Sequence, residues 1–303
     1  MDNVTHALLG VSLMGLRSHP KAESRGLWLA VMLGSQAPDF DLLPGLFNPQ
    51  AQVAFHRGDS HSWVGLAIIV GLITLSIGVL ETRVSRKKVA FWSFLAVLVH
   101  LVFDALTCYG TRILLPYNGE PIALDFLFIV DIPIILILGI GSFFYLYRHK
   151  TSAMRIALII VMLYLAGRGS LHHSLLQNVE RQVGVERCSV VPLLNPLGKW
   201  LVLVDRGEKY SLGEITPITG KLVFRGDYAK NLSIPLVKKL ATNPVIDSFL
   251  EIARFPYAQV SKQGKVWQVK FADLRQWPYG GFNALVLLDE NLQVQNIKLS
   301  TWN

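Results

Sequence analysis

A chain of 303 residues that is 51% apolar and only 17% charged, with a mean hydropathy of +0.40, is too apolar for an ordinary water-soluble globular protein. Its net charge of +8 does not mark a nucleic-acid binder. The basic residues sit in short clusters between apolar runs, where membrane topology explains them.

The first apolar run, Val4 to Leu16, suits a helix but is shorter than the roughly 20 residues of a full span. It carries His6, four residues after Asp2. The start has neither the basic residues nor the cleavage site of a signal peptide and is expected to be retained. After the basic stretch Arg17 to Arg25, a second short run, Gly26 to Ala37, stops at Pro38-Asp39-Phe40-Asp41. Proline and paired acids end a helix there and open a loop. That loop leads to His56-Arg57-Gly58-Asp59-Ser60-His61-Ser62, two imidazoles, a carboxylate and an arginine gathered before a long apolar segment.

Trp63 to Leu80 has no charged residue and is long enough to cross a bilayer. It ends at Glu81 and the cluster Arg83, Arg86, Lys87, Lys88. Val89 to Leu106 is the next span and holds His100 and Asp104. Phe126 to Tyr147 follows, with Asp131 near its start and Arg148, His149, Lys150 at its end. Ala153 to Ala166 completes the membrane part. From about Arg168 the long apolar runs stop. Strands are expected at Lys199–Val204, Lys221–Phe224, Lys265–Phe271, Ala284–Leu288 and Val294–Leu299, and one helix over Ser233–Arg254. The fold class is therefore a membrane α-helical bundle of about four to six helices, residues 1–168, followed by a small α+β domain, residues 169–303. Cys108 and Cys188 lie far apart with no CxxC, and whether they pair stays open.

The three basic loops place one face of the bundle in the cytoplasm and the C-terminal domain outside. Counting ~1.5 Å of rise per residue puts His6 ~16 Å, Asp39 ~21 Å, His100 ~18 Å and Asp104 ~24 Å above that face, with Asp131 at ~25 Å and His61 at ~33 Å. The polar candidates thus converge on the outer layer of the membrane. Ionisable groups at that depth are costly and need a partner, and a divalent metal suits them all. His6, Asp39, Asp41, His56, His61, His100 and Asp104 form a mixed nitrogen and oxygen ligand set that fits zinc first, with manganese or iron as alternatives. Each residue alone has a plainer reading. His6 packs, Asp39 and Asp41 end a helix, His100 and Asp104 hydrogen-bond within the membrane, Asp59 and Ser60 make a turn, and His172 and His173 lie on the surface. Gly58-Asp59-Ser60 lacks the preceding strand that a serine-esterase elbow needs.

The linked motifs Asp2-x-x-Thr5-His6, Pro38-Asp39-x-Asp41, His56-Arg57-Gly58-x-Ser60-His61-Ser62, His100-x-x-x-Asp104, Asp125 and Asp131 resemble those of the YdjM/YfhP family of bacterial inner-membrane proteins, grouped as metal-dependent hydrolases. The resemblance covers about the first 135 residues. The order of the ligands is also similar, more loosely, to zinc-dependent phospholipase C and related nucleases. It implies a multi-pass inner-membrane hydrolase acting on a phosphoester or ester of a lipid-like substrate at the outer face. In that reading Arg57 holds the substrate phosphate by its planar fork and Asp59 is the base. A different expectation is a metal-stabilised scaffold or regulator whose C-terminal domain binds an unknown envelope protein. A transporter is disfavoured by the few spans and the absence of an inverted repeat.

Overall fold

The computed structural model describes residues 1–17, 24–46, 58–184, 187–194, 198–276 and 282–300. The chain divides into two compact units. One comprises Met1–Leu42, His56–His173 and Leu194–Pro196, and the other the remainder.

In the first unit, α1 (Asn3–Gly15) begins at Asp2, whose carboxylate accepts from the Thr5 backbone N–H at 2.9 Å. This cap satisfies one of the donors that a helix start leaves open. The second helix, α2 (Ser24–Gln36), runs into a 3₁₀ segment, Ala37–Leu46, that carries Asp39 and Asp41. A one-turn 3₁₀ element, Asp59–His61, precedes α3 (Trp63–Leu80). Ser62 caps α3 by accepting from Gly65 N–H at 3.0 Å. The next helices are α4 (Arg86–Ala105), α5 (Ile132–Arg148) and α6 (Thr151–Val183).

Helices α2 and α4 pack closely because Gly34 lets them. A Cβ there would stand 3.0 Å from the Ser93 carbonyl oxygen. One apolar core gathers Leu13, Leu27, Val31, Ile73, Val89 and Ala96, and another Leu9, Phe103, Leu127, Ile134 and Val161. The outward faces are also apolar: Ile68, Leu72, Leu75 and Val79 on α3, Phe91, Phe94, Leu98 and Val102 on α4, and Leu136, Ile140 and Phe143 on α5 are exposed. Such a continuous apolar exterior suits lipid, not water. By length and composition α3, α4 and α6 can cross a membrane, whereas α5 is a shorter apolar helix.

The second unit holds two antiparallel sheets, ordered β1-β2-β3-β4 and β5-β6-β7-β8. The first is built from β1 (Cys188–Pro192), β2 (Trp200–Asp205), β3 (Lys209–Ile215) and β4 (Leu222–Ala229). The second is built from β5 (Pro256–Gln263), β6 (Val266–Asp273), β7 (Asn283–Leu288) and β8 (Val294–Ser300). Between them lie α7 (Pro235–Ala241) and α8 (Pro244–Ile252). Val237, Leu240, Ile246 and Phe249 of these helices join Ala258, Val269, Phe271, Ala284 and Val286 of the second sheet in one core.

The described residues contain eight α-helices, against the four to six expected for the bundle and one more over Ser233–Arg254: six precede β1 and two lie between the sheets. The extra helix between the sheets comes from the single one expected over Ser233–Arg254. Pro244 disfavours helical backbone at Asn243, which instead caps α8 by accepting from Val245 N–H at 3.0 Å. The segment expected to enter the membrane at Phe126 becomes helical only at Ile132, where Asp131 accepts from Ile134 N–H at 3.2 Å and Pro133 occupies the first turn.

Candidate metal centre

Four segments meet inside the first unit. The 3₁₀ segment after α2 brings Asp39, the turn before α3 brings His61, and α4 brings His100 and Asp104 one helical turn apart; all four are buried. His6 of α1 closes one side, its ring stacked on that of His100 with centroids 3.6 Å apart.

The donor atoms form a compact set. His61 Nε2 is 3.3 Å from both Asp39 Oδ1 and Asp104 Oδ2. His100 Nε2 is 3.6 Å from Asp39 Oδ1 and 3.4 Å from Asp104 Oδ2, and the two Nε2 atoms are 3.3 Å apart. Tetrahedral ligand atoms about 2.0–2.2 Å from a common centre stand about 3.3–3.6 Å from one another. The spacing therefore fits a zinc-sized ion.

The protons agree with the distances. His100 Nδ1 lies 2.8 Å from the Ser35 carbonyl oxygen, which can only accept, so Nδ1 carries the hydrogen. Ser60 Oγ donates to Asp41 Oδ2 at 2.5 Å. Its lone pairs then receive His61 Nδ1–H at 2.9 Å, with Asp41 Oδ2 itself 3.2 Å from Nδ1. In the neutral imidazoles both Nε2 atoms are consequently lone-pair atoms aimed at each other and at two carboxylates. Asp39 Oδ2 is buried with no hydrogen-bond partner. Four acceptors converging in a dry interior repel one another unless a cation lies among them. With the Met1 amino group on Asp104, a divalent ion also offsets the negative charge of the two carboxylates.

The sequence-predicted residues thus separate. Asp39, His61, His100 and Asp104 form the four-membered group. Asp41 stands behind His61, against Nδ1, in the position of a carboxylate that orients a metal-bound histidine. His6 lies beside the group, with Nε2 3.4 Å from Asp104 Oδ1. The Met1 amino group donates to that same oxygen, while Oδ2 faces His61 and His100. Asp59 is exposed at the start of the turn, and its backbone carbonyl accepts from Ser62 N–H and Oγ. Asp2 and Asp131 are helix caps, and Asp131 also accepts from Tyr164 Oη at 3.0 Å. His56 and Arg57 lie outside the described residues.

Sequence reasoning missed Ser35, whose contribution is a backbone carbonyl that no side-chain motif encodes. It also read Ser60 only as a turn residue. The signal available for Ser60 was its place directly before a candidate ligand, where a hydroxyl can reach the neighbouring imidazole.

Residues 1–175, more than half of the chain and including all four clustered residues, match the family described as "YdjM inner membrane protein", and the chain belongs to that family. It is also 22% identical over 312 residues to "Uncharacterized protein YfhP" of Bacillus subtilis (strain 168), an alignment that covers 98% of this chain and 94% of that protein. No solved structure matches.

Proposed function

We propose that this YdjM-family membrane protein is a multi-pass metal-dependent hydrolase, with zinc the best-fitting ion, that cleaves a phosphoester or ester of an amphiphilic substrate at the outer face of the inner membrane. The observation that carries the metal reading is the convergence of two Nε2 lone pairs and two carboxylates at 3.3–3.6 Å, with both Nδ1 protons committed elsewhere. The hydrolytic reading rests on the resemblance to metal-dependent hydrolases, and the outer-face placement on the basic loops at the opposite ends of α3–α6.

Asp39, His61, His100 and Asp104 hold the ion. When bound, it supplies Lewis-acid polarisation of the scissile group and lowers the pKa of water. Asp41 and Ser60 keep His61 in the tautomer that presents Nε2, and the Ser35 carbonyl does the same for His100. His6, against Asp104 Oδ1, is placed to orient that carboxylate and to exchange a proton with it. Arg57 keeps its expected role toward a substrate phosphate on sequence grounds alone. Asp59, exposed on the turn, is the candidate base. In this reading the C-terminal unit is extracytoplasmic; a reporter fused after Asn303 tests that placement, and a cytoplasmic signal overturns it.

The deciding experiment is elemental analysis of detergent-purified protein followed by turnover assays on phospholipids, lysolipids and polyprenyl phosphates, with Asp39→Asn as control. Stoichiometric metal without turnover on any of them refutes the hydrolase. A second reading is favoured by one feature: four buried protein ligands make a closed set, as in structural zinc sites, whereas catalytic sites keep a position open. Under it the metal stabilises a scaffold that binds an envelope partner. His61→Ala then abolishes folding yield while the wild type shows no enzymatic activity.

A further inference from the structure

The segment between α4 and α5, residues 106–131, folds back over the end of the bundle where the metal centre lies. Short bridges pin it: Thr107 pairs with Leu127 and Thr111 with Ile122. Its tip is a turn in which Tyr117 N–H and Asn118 N–H both donate to the Leu114 carbonyl. The tip displays apolar side chains to the outside, Leu114 at 44% and Tyr117 at 83% exposure, with Leu124 exposed further along. Trp63, 45% exposed, lies with its ring nearly parallel to that of Tyr117, 7° between planes and 5.9 Å between centroids. The Trp63 backbone N–H donates to the Ile113 carbonyl at 3.0 Å, which fixes the tip to the start of α3.

In water this arrangement is unfavourable, since a leucine, a tyrosine and a tryptophan stay exposed beside one another. Its position supplies the reason. Trp63 heads the exposed stripe of α3 that continues through Ala67, Ile68, Leu72, Leu75 and Val79, so the aromatic pair prolongs the lipid-facing surface. Stacked Trp and Tyr at the end of a membrane helix are the chemistry of the membrane–water boundary, where an apolar ring body meets hydrocarbon and its polar edge meets headgroups. Arg112 and Glu120 flank the tip within the same segment.

We propose that Trp63, Leu114 and Tyr117 form a lip that inserts into the leaflet on the metal-centre side of the membrane. The partner of this surface is the lipid bilayer. The lip holds the centre at the depth of the lipid headgroups, so an amphiphile approaches laterally from the leaflet. This inference rests on the multi-pass reading above and deepens it by naming the side from which substrate comes.

The test uses full-length protein in lipid nanodiscs with Cys108→Ala and Cys188→Ala. A nitroxide is attached at Tyr117→Cys or, as an exposed reference on β8, at Gln295→Cys, and only variants eluting as a single peak are measured. Electron paramagnetic resonance then compares collisions with oxygen, which partitions into lipid, and with a water-soluble nickel chelate. The expected result is a several-fold higher oxygen-to-nickel ratio at position 117 than at 295. Equal ratios overturn the lip, and so does shielding of position 117 from both reagents, which puts protein over it. A water-exposed label on metal-replete, active protein removes the lip alone. A lipid-shielded label on metal-free protein removes the proposed function alone.

Discussion

Replacing Asp41 with asparagine separates a ligand from the residue that aims one. Asp41 Oδ2 receives Ser60 Oγ at 2.5 Å and stands 3.2 Å from His61 Nδ1, whereas Asp39 Oδ1 faces His61 Nε2 at 3.3 Å. Asparagine keeps the size of the side chain but loses the charge that favours a proton on Nδ1. Its amide can also donate to Nδ1, which moves the ring hydrogen to Nε2 and points it into the donor group. Losing such an orienting carboxylate costs about 10- to 100-fold in metal affinity, equivalent to about 1.4–2.7 kcal/mol. Asp39→Asn removes a charged donor and is expected to cost more than either limit. The assay is zinc competition against a fluorescent chelator on detergent-purified protein, with bound metal counted by elemental analysis. Wild-type affinity in Asp41→Asn refutes the orienting role. A loss equal to that of Asp39→Asn makes Asp41 a ligand.

Three further outcomes are expected. Chelation should lower the melting temperature of the wild type and leave His100→Ala unchanged, because a bound ion stabilises only the state that binds it; equal shifts in both proteins contradict the site. Gly65→Ala places a Cβ 2.1 Å from the Asp59 carbonyl oxygen, so the turn carrying His61 must move. Metal content should fall along with about 1–3 kcal/mol of stability, and unchanged metal content would show that the turn does not position His61. In the C-terminal unit, burial by itself raises the Asp205 and Glu214 carboxyls. Lys230 and the Gly207 N–H on Asp205, and Arg225 and Lys199 on Glu214, outweigh it and hold both below the usual carboxylate range. Depressed folded-state values contribute stability that is complete above the unfolded carboxylate range and is lost as pH falls through the folded values. Thermal unfolding of the full chain should therefore weaken below about pH 4. Lys230→Met with Glu214→Gln should flatten that slope, and an unaltered slope refutes the assignment.

The membrane half was legible where pattern and physics coincide. Trp63 to Leu80 has the bounds read from its apolar run because Ser62 caps it and Glu81 ends it. His100 and Asp104 were legible as a pair through helical spacing, and Asp39 and His61 through depth counting. Depth places a residue in a layer but not around a helix axis, so Asp41 and His6 could not be told from the four that converge. The C-terminal half was harder to read. Strands β1, β3 and β5 went unseen: Lys209–Ile215 mixes Ser211, Gly213 and Glu214 with its apolar residues, and Pro256–Gln263 is largely polar. Their pairing in the sheets outweighs weak local propensity. The one helix expected over Ser233–Arg254 is two, because Pro244 starts α8 and Asn243 caps it.

Helices α1 and α2 have 13 residues each and so extend only about 20 Å, short of a hydrocarbon layer about 30 Å thick. Neither is a strong stop for the insertion machinery during synthesis, yet both supply walls of the centre, through His6 and the Ser35 carbonyl. Their docking surfaces on α4, including Ser93 and Ala96 against Gly34, leave the ribosome some sixty residues after Gly34 itself. Helices α1 and α2 are thus made well before the surfaces that seat them, and biogenesis must hold both unfinished at the membrane surface until α4 arrives.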